Sequence, residues 1–263
     1  MQLKSKDEIN QNFIFRVGEL HVEMHFLDAI GSYIDGSGLD QAIVEAGITG
    51  PGTLERIKDG KDKQRALDTH YALYLTLFRY YVEFLIKQNP MIKDVEDIVQ
   101  RYNILTDKSL TNSELLRYTK VDLVNCLSNC GFPSTAEIDA AIGKQGKIYR
   151  NYMKMFEALL LYIRATRQRL WDLHLASTHN LAKYFFVHDK HNYARMIPVY
   201  LAEMISLKDN DPDTWNFFED GNFSVNKTKI SFSAIGCDHA IEHENRAMKV
   251  AGGITGIYMI LNY

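Results

Sequence analysis

Asp238, His239, Glu242 and His243 share one short polar run, Cys237-Asp-His-Ala-Ile-Glu-His-Glu244. If that run is helical, Asp238 and Glu242 are neighbours one turn apart, and so are His239 and His243. Carboxylates and imidazoles on a single turn are the material of a metal site or of an acid–base pair. They are also the material of an ordinary solvated helix face. Two further stretches of the same kind lie far away, His21-Val-Glu-Met-His25 and His188-Asp-Lys-His-Asn-Tyr-Ala-Arg195. His21 and His25 have a spacing that can chelate a metal. Glu23 sits midway between them, which disfavours a His-Glu-x-x-His protease helix. Asp189 and Arg195 could belong to a site or to a polar network that braces helices.

The candidate site set is therefore His21, Glu23, Asp189, Asp238 and Glu242. An Asp238/Glu242 pair is mutually repulsive on an isolated helix by a few tenths of a kcal/mol. Partial burial sharpens that conflict, and a cation between the two carboxylates removes it. Hard ions such as Mg²⁺ or Mn²⁺ prefer carboxylate oxygens, whereas a site built from the histidines prefers Zn²⁺. The expectation is that Glu242 and at least one of His21, Glu23 and Asp189 face a common cavity.

A basic stripe adds a second kind of chemistry. Lys144, Lys147, Arg150 and Lys154 step by three or four residues, so they line one helix face opposite Ile148, Tyr152, Met155 and Phe156. Such a stripe could neutralise phosphates of DNA, with Arg195 as a further contact. It is equally what a solvated face opposite a core stripe looks like. Net charge is −3 and the isoelectric point is near 6.3, so the molecule as a whole is not a basic nucleic-acid binder. No Gly-rich phosphate loop, Gly-x-Ser-x-Gly elbow or Cys-x-x-Cys pair is present.

These residues must be positioned by elements. Asn12–Val17 is apolar and β-branched, and reads as a strand ended by Gly18. Glu19–Tyr33 and Leu39–Ala46 read as helices, Gly47–Gly52 as a turn cluster and Lys58–Arg65 as a charged loop. Long helices are expected over Ala66–Lys87 and Ala136–Arg169, the latter kinked at Gly143 or Gly146. Leu170–Phe186, Asn192–Leu207, Asp213–Phe218, Asp94–Tyr102 and Ser113–Leu127 read as further helices. Phe223–Val225 and Ile230–Ile235 read as strands. The pattern predicts a mainly α-helical α+β chain. Residues 1–36 and 221–263 would form a small α/β frame, in which the first and last strands share a sheet. Residues 37–220 would be a helical insertion.

With 263 residues, 46% of them hydrophobic, the chain can bury a sizeable core. Three cysteines, two of them at helical spacing (Cys126 and Cys130), are not a disulfide framework, and a reducing, intracellular compartment is expected. The first ten residues lack the apolar core of a signal peptide, and no apolar run reaches membrane-spanning length. The chain stops inside the apolar run after Val250, which suggests a truncated sequence.

The chain carries, in order, Gly18-x-Leu-His-x-Glu-Met24, Ile30-Gly31, Gly36-Ser-Gly-Leu39, Tyr184-Phe-Phe186, Asp189-x-His-Asn-Tyr-Ala-Arg195, Gly221-Asn-Phe-Ser-Val225, Phe232-Ser-Ala-Ile235, Asp238-His-Ala-x-Glu242 and Gly252-Gly253. Taken together, these motifs resemble a multi-copy, transposon-associated family of invertebrate genomes. The resemblance implies a transposase-derived protein with an RNase H-like core interrupted by helices. Such cores hold two Mg²⁺ or Mn²⁺ ions for DNA cleavage and strand transfer. Glu242 then matches the last catalytic carboxylate and Asp238 supports it, while Glu19, His21 and Glu23 compete for the second acidic position. Members of the family carry upstream strands and an Asp-Gln-Pro motif. Only twelve residues precede Phe13 here. The resemblance therefore implies that the first catalytic aspartate is missing and that the chain is an inactive remnant. The alternatives are a non-enzymatic helical interaction protein and a His/carboxylate metal-dependent phosphohydrolase.

Overall fold

The computed structural model describes residues 14–88, 111–113, 115–116 and 135–250. The helices expected over Asp94–Tyr102 and most of Ser113–Leu127, the Cys126/Cys130 pair and the apolar run beyond Val250 lie outside these residues.

The described chain is mainly helical. Helix α1 (Glu19–Ile34) is its centre. Val22, Phe26, Leu27, Ile30 and Ile34 recur at helical spacing and are buried. Around α1 stand α3 (Pro51–Lys58), α4 (Lys63–Gln88), α6 (Gly143–Gln168), α7 (Trp171–Val187) and α10 (Cys237–Val250), all of which touch it. Helices α2 (Leu39–Glu45) and α5 (Thr135–Ala141) are short flanking pieces. Helix α8 (His191–Asn210) lies along α7, and α9 (Pro212–Phe217) follows it. Asp211 starts α9 by accepting the amide of Thr214 at 3.2 Å.

Most expected helices stand where the 3.6-residue periodicity puts them. The long helix expected over Ala136–Arg169 is broken once, at Gly143, whose φ of +66° a residue with Cβ would adopt only under strain. Helix α3 is an addition within a region expected to be turn and loop. Pro51 is its first residue, a position where the missing amide costs nothing.

The strand expectations need correction. Residues 14–18 form no strand, because Arg16 turns inward to Glu19 and to the carbonyl of Phe223. The sheet among the described residues has two strands, β1 (Ser224–Val225) and β2 (Ile235–Gly236). They are antiparallel, with Val225 opposite Ile235. The expected strand over Ile230–Ile235 survives only at its last residue. The side-chain oxygen of Asn226 gathers the amides of Thr228 and Lys229 at 3.2 and 2.9 Å and the hydroxyl of Ser233 at 3.0 Å. That local network holds the segment as a turn instead. Among the described residues the two ends of the chain share no sheet, and the pairing expected between the first and last strands is not formed. The two ends build a helix-to-helix contact.

Two glycines set how closely α1 can be approached. A Cβ on Gly31 would lie 2.1 Å from the carbonyl oxygen of Lys58, and one on Gly60 would lie 2.2 Å from that of Met24. Backbone meets backbone there, and neither side can yield cheaply. Gly31→Ala should therefore destabilise the protein by about 1–3 kcal/mol, as overpacking does. Helix propensity alone predicts a gain of about 1 kcal/mol. Urea unfolding separates the two by sign.

Candidate functional site

The expected chemistry converges at the start of α1, but in a different form. Asp238 is the second residue of α10, and its carboxylate reaches across to α1. One oxygen accepts the amide of Leu20 at 3.0 Å. The other accepts the amide of His21 at 3.1 Å and lies 2.9 Å from His21 Nδ1. The amide of His239 adds a fourth contact at 2.9 Å. Helix α1 has Gly18 at its N-cap and no cap of its own, so Asp238 supplies the missing acceptor from another helix. The approach requires glycine on both sides. A Cβ on Gly18 would sit 2.4 Å from an Asp238 oxygen, and one on Gly236 would sit 2.7 Å from Cβ of Glu19. Partial burial opposes ionisation of Asp238. The three amides and the imidazole outweigh it and hold its carboxyl below the usual carboxylate range.

Directly beneath lies a buried ion pair that the sequence reading overlooked. Glu19 meets the guanidinium of Arg16. Arg16 also donates to the carbonyl of Phe223 at 2.5 Å and lies over the rings of Phe218 and Phe223. The hydroxyl of Tyr200 meets the same guanidinium and lies 3.1 Å from Nε2 of buried His174, which stacks on Trp171. Burial pushes the Glu19 carboxyl up to about 7, with Arg16 pulling the other way. It pushes Tyr200 up to about 12 and drives His174 well down. The clue in the sequence is an arginine inside an apolar segment with a glutamate three residues later.

The third group surrounds Glu23, one turn along α1. Its carboxylate is buried, and Lys63 Nζ lies 2.5 Å from Oε2 as an off-axis charge contact. Burial raises the Glu23 carboxyl against the pull of Lys63. His239 borders the same group. Burial, with Lys63 and His243 adding to it, drives its imidazole down to about 4.

The expected site residues thus separate. Asp238, His21 and Glu23 share the α1–α10 contact. Glu242 lies on the exposed face of α10, and Asp189 is exposed in the α7–α8 turn at φ 54°. Among the described residues no group of three His, Cys, Asp or Glu side chains could hold a metal ion. The donor chemistry says why. Both oxygens of Asp238 are engaged by donors, and the charge beside Glu23 is a lysine ammonium, which a divalent cation would have to displace. As placed here, Asp238 and Glu23 would each have to give up a present donor to take a divalent cation.

The basic stripe separates too. Lys144 and Lys147 are exposed and Lys154 is half-buried, whereas Arg150 is only 4% exposed. The stripe is interrupted because α6 is a central helix with neighbours on several sides, so a face opposite one core stripe is not automatically solvent. Arg195 is exposed, its guanidinium resting on the His191 carbonyl at 3.3 Å and the Asn192 side chain at 3.2 Å.

Glu19 carries a pH signature. Its carboxyl stands at about 7 when folded against an ordinary 4.5. A raised carboxyl pKa means that the folded state holds the proton more tightly. Its stabilisation is complete below pH 4.5 and is lost as pH rises to about 7. Buried His70 and His174, both depressed, act in the opposite sense over the acid range, so the comparison must be made with a variant. Glu19→Gln carries a pH-independent offset from leaving Arg16 without its carboxylate. Relative to wild type its stability should nevertheless rise between pH 4.5 and pH 7 by on the order of 3 kcal/mol. Urea unfolding across that pH range checks it.

No curated protein and no solved structure matches the chain. No described helix is long and apolar enough to cross a membrane. A family model described as a domain of unknown function, DUF8702, matches residues 1–260, and the chain belongs to that family.

Proposed function

We propose that this chain is a non-enzymatic helical interaction protein. One observation carries the reading: the two candidate carboxylates that the fold brings together, Asp238 and Glu23, are both engaged by donors or by a cation of the chain itself. Asp238 caps α1 with both oxygens, and Glu23 is matched by Lys63. A general acid, a general base or a metal ligand needs a free lone pair facing a substrate. Here those lone pairs face amides and an ammonium. An intracellular setting accompanies the reading, on the strength of the few, odd-numbered cysteines.

The reading is tested by titrating Mg²⁺, Mn²⁺ and Zn²⁺ into the wild type and Glu242→Gln by calorimetry, alongside a cleavage assay on labelled duplex DNA. Equal, small heats in both proteins and no metal-dependent nicking are expected. Mn²⁺ binding that disappears in Glu242→Gln, or nicking that does, would make Glu242 a metal ligand and overturn the reading.

Descent from a transposase, with an RNase H-like frame, Mg²⁺ or Mn²⁺ as cofactor and DNA as partner, is the second reading. Its support is the motif resemblance together with Lys144 and Lys147, which are exposed near the start of α6. If these lysines meet phosphates, Lys144→Gln and Lys147→Gln should each flatten the salt dependence of duplex binding by about 0.9. Arg150→Gln should instead lower stability, because it removes a buried charge from its partners. An unchanged slope would assign the lysines to solvent.

A further inference from the structure

The outer face of α8 (His191–Asn210) combines exposed apolar side chains with opposite charges at its ends. Among the described residues, α8 packs chiefly on α7 and α9 and turns Ile197, Tyr200, Leu201 and Met204 inward. Its opposite side is apolar. Val199 is 57% and Ile205 58% exposed, with exposed Pro198 and Ala202 between and beside them. Arg195, Val199, Ala202 and Asp209 recur at steps of three, four or seven, so they fall along one line of the helix. Ala202 is the centre of this line. Val199 and Ile205 lie three residues to either side of it, and Arg195 and Asp209 lie seven residues to either side.

We infer that α8 is the interface of a two-fold homodimer, packed antiparallel on a second copy of this chain and centred on Ala202. A two-fold axis through Ala202 reverses the helix direction. Val199 of one protomer then lies beside the partner's Ile205, and Arg195 lies beside the partner's Asp209, with the same two pairs repeated at the other end. The small alanine at the crossing allows close approach of the two helices. The patch has opposite charges at its two ends, so only the antiparallel order brings them together, and the parallel order sets like charges against each other. Arg195 is already held on the surface by His191 and Asn192, which lowers the cost of ordering it. Isologous contacts of this kind are the commonest route to a closed assembly. The inference shares with the interaction reading only the use of an exposed face. It stands or falls on association, whereas that reading stands or falls on metal binding and cleavage.

Sedimentation velocity of the full chain tests it. A dimer is expected at about 100 µM, a concentration that would reveal micromolar affinity. Ala202→Glu should weaken association at least about tenfold, because two like charges then meet at the axis. The residue is exposed, so circular dichroism should be unchanged. Arg195→Glu and Asp209→Arg should each weaken the dimer, and the double variant should restore most of what either loses. A monomer at every concentration overturns the inference. So does a dimer indifferent to Ala202→Glu, or a double variant no tighter than the single ones.

Discussion

The carboxylate of Asp238 joins the two ends of the described chain. A helix that begins with four unpaired amides must find acceptors for them, and α1 begins after a glycine that offers none. Asp238 answers from more than two hundred residues away in sequence, with separations of 218 and 217 positions to Leu20 and His21. A charge-assisted bond to a backbone amide is worth about 1.5–3 kcal/mol, roughly twice a neutral one. The contact also fixes geometry. It sets the start of α1 against the start of α10 and leaves β1 and β2 to pair beside them. Since α1 is the helix around which α3, α4, α6 and α7 gather, its end is the point from which the interior is arranged.

Electrostatics at this joint follow a gradient of burial. Asp238 is partly buried and stays ionised, because donors surround it. Glu19, deeper and with one arginine for company, is raised toward neutrality. Glu23, buried beside Lys63, is raised as well. Three carboxylates within two turns of α1 repel one another, and the protein relieves this with two cations, one imidazole and several amides. Removing one member of a buried pair costs more than the pair contributes, because the remaining charge is left unmatched. That asymmetry gives such residues a structural reason to persist without any catalytic role.

The outer surface obeys a different rule. Large apolar side chains scattered singly over a surface need no explanation. A row of them on one face of one helix, flanked by opposite charges at equal distances, is a pattern with a symmetry of its own. Interior and surface thus divide the work. Charge is used inside to orient helices, and apolar area is left outside where a partner could cover it.

The sequence by itself determined the helices. Apolar residues at three- and four-residue steps marked α1, α4, α6, α7 and α8, and glycines and prolines marked their ends, because local periodicity and backbone restriction act within a few residues. It also gathered His21, Glu23, Asp189, Asp238 and Glu242 into one candidate set, of which His21, Glu23 and Asp238 meet at the α1–α10 contact while Asp189 and Glu242 are exposed. What it could not determine was their purpose. A carboxylate at one end of the chain caps a helix at the other only if the fold brings them together. Whether its oxygens then face amides or a cation depends on packing, not on spacing. The inward turn of Arg16, the burial of Arg150 in a stripe that reads as solvated, and the Asn226 turn in place of a strand have the same cause. Each depends on neighbours that sequence distance hides, and tertiary contacts outweigh local propensity by the free energy of burial.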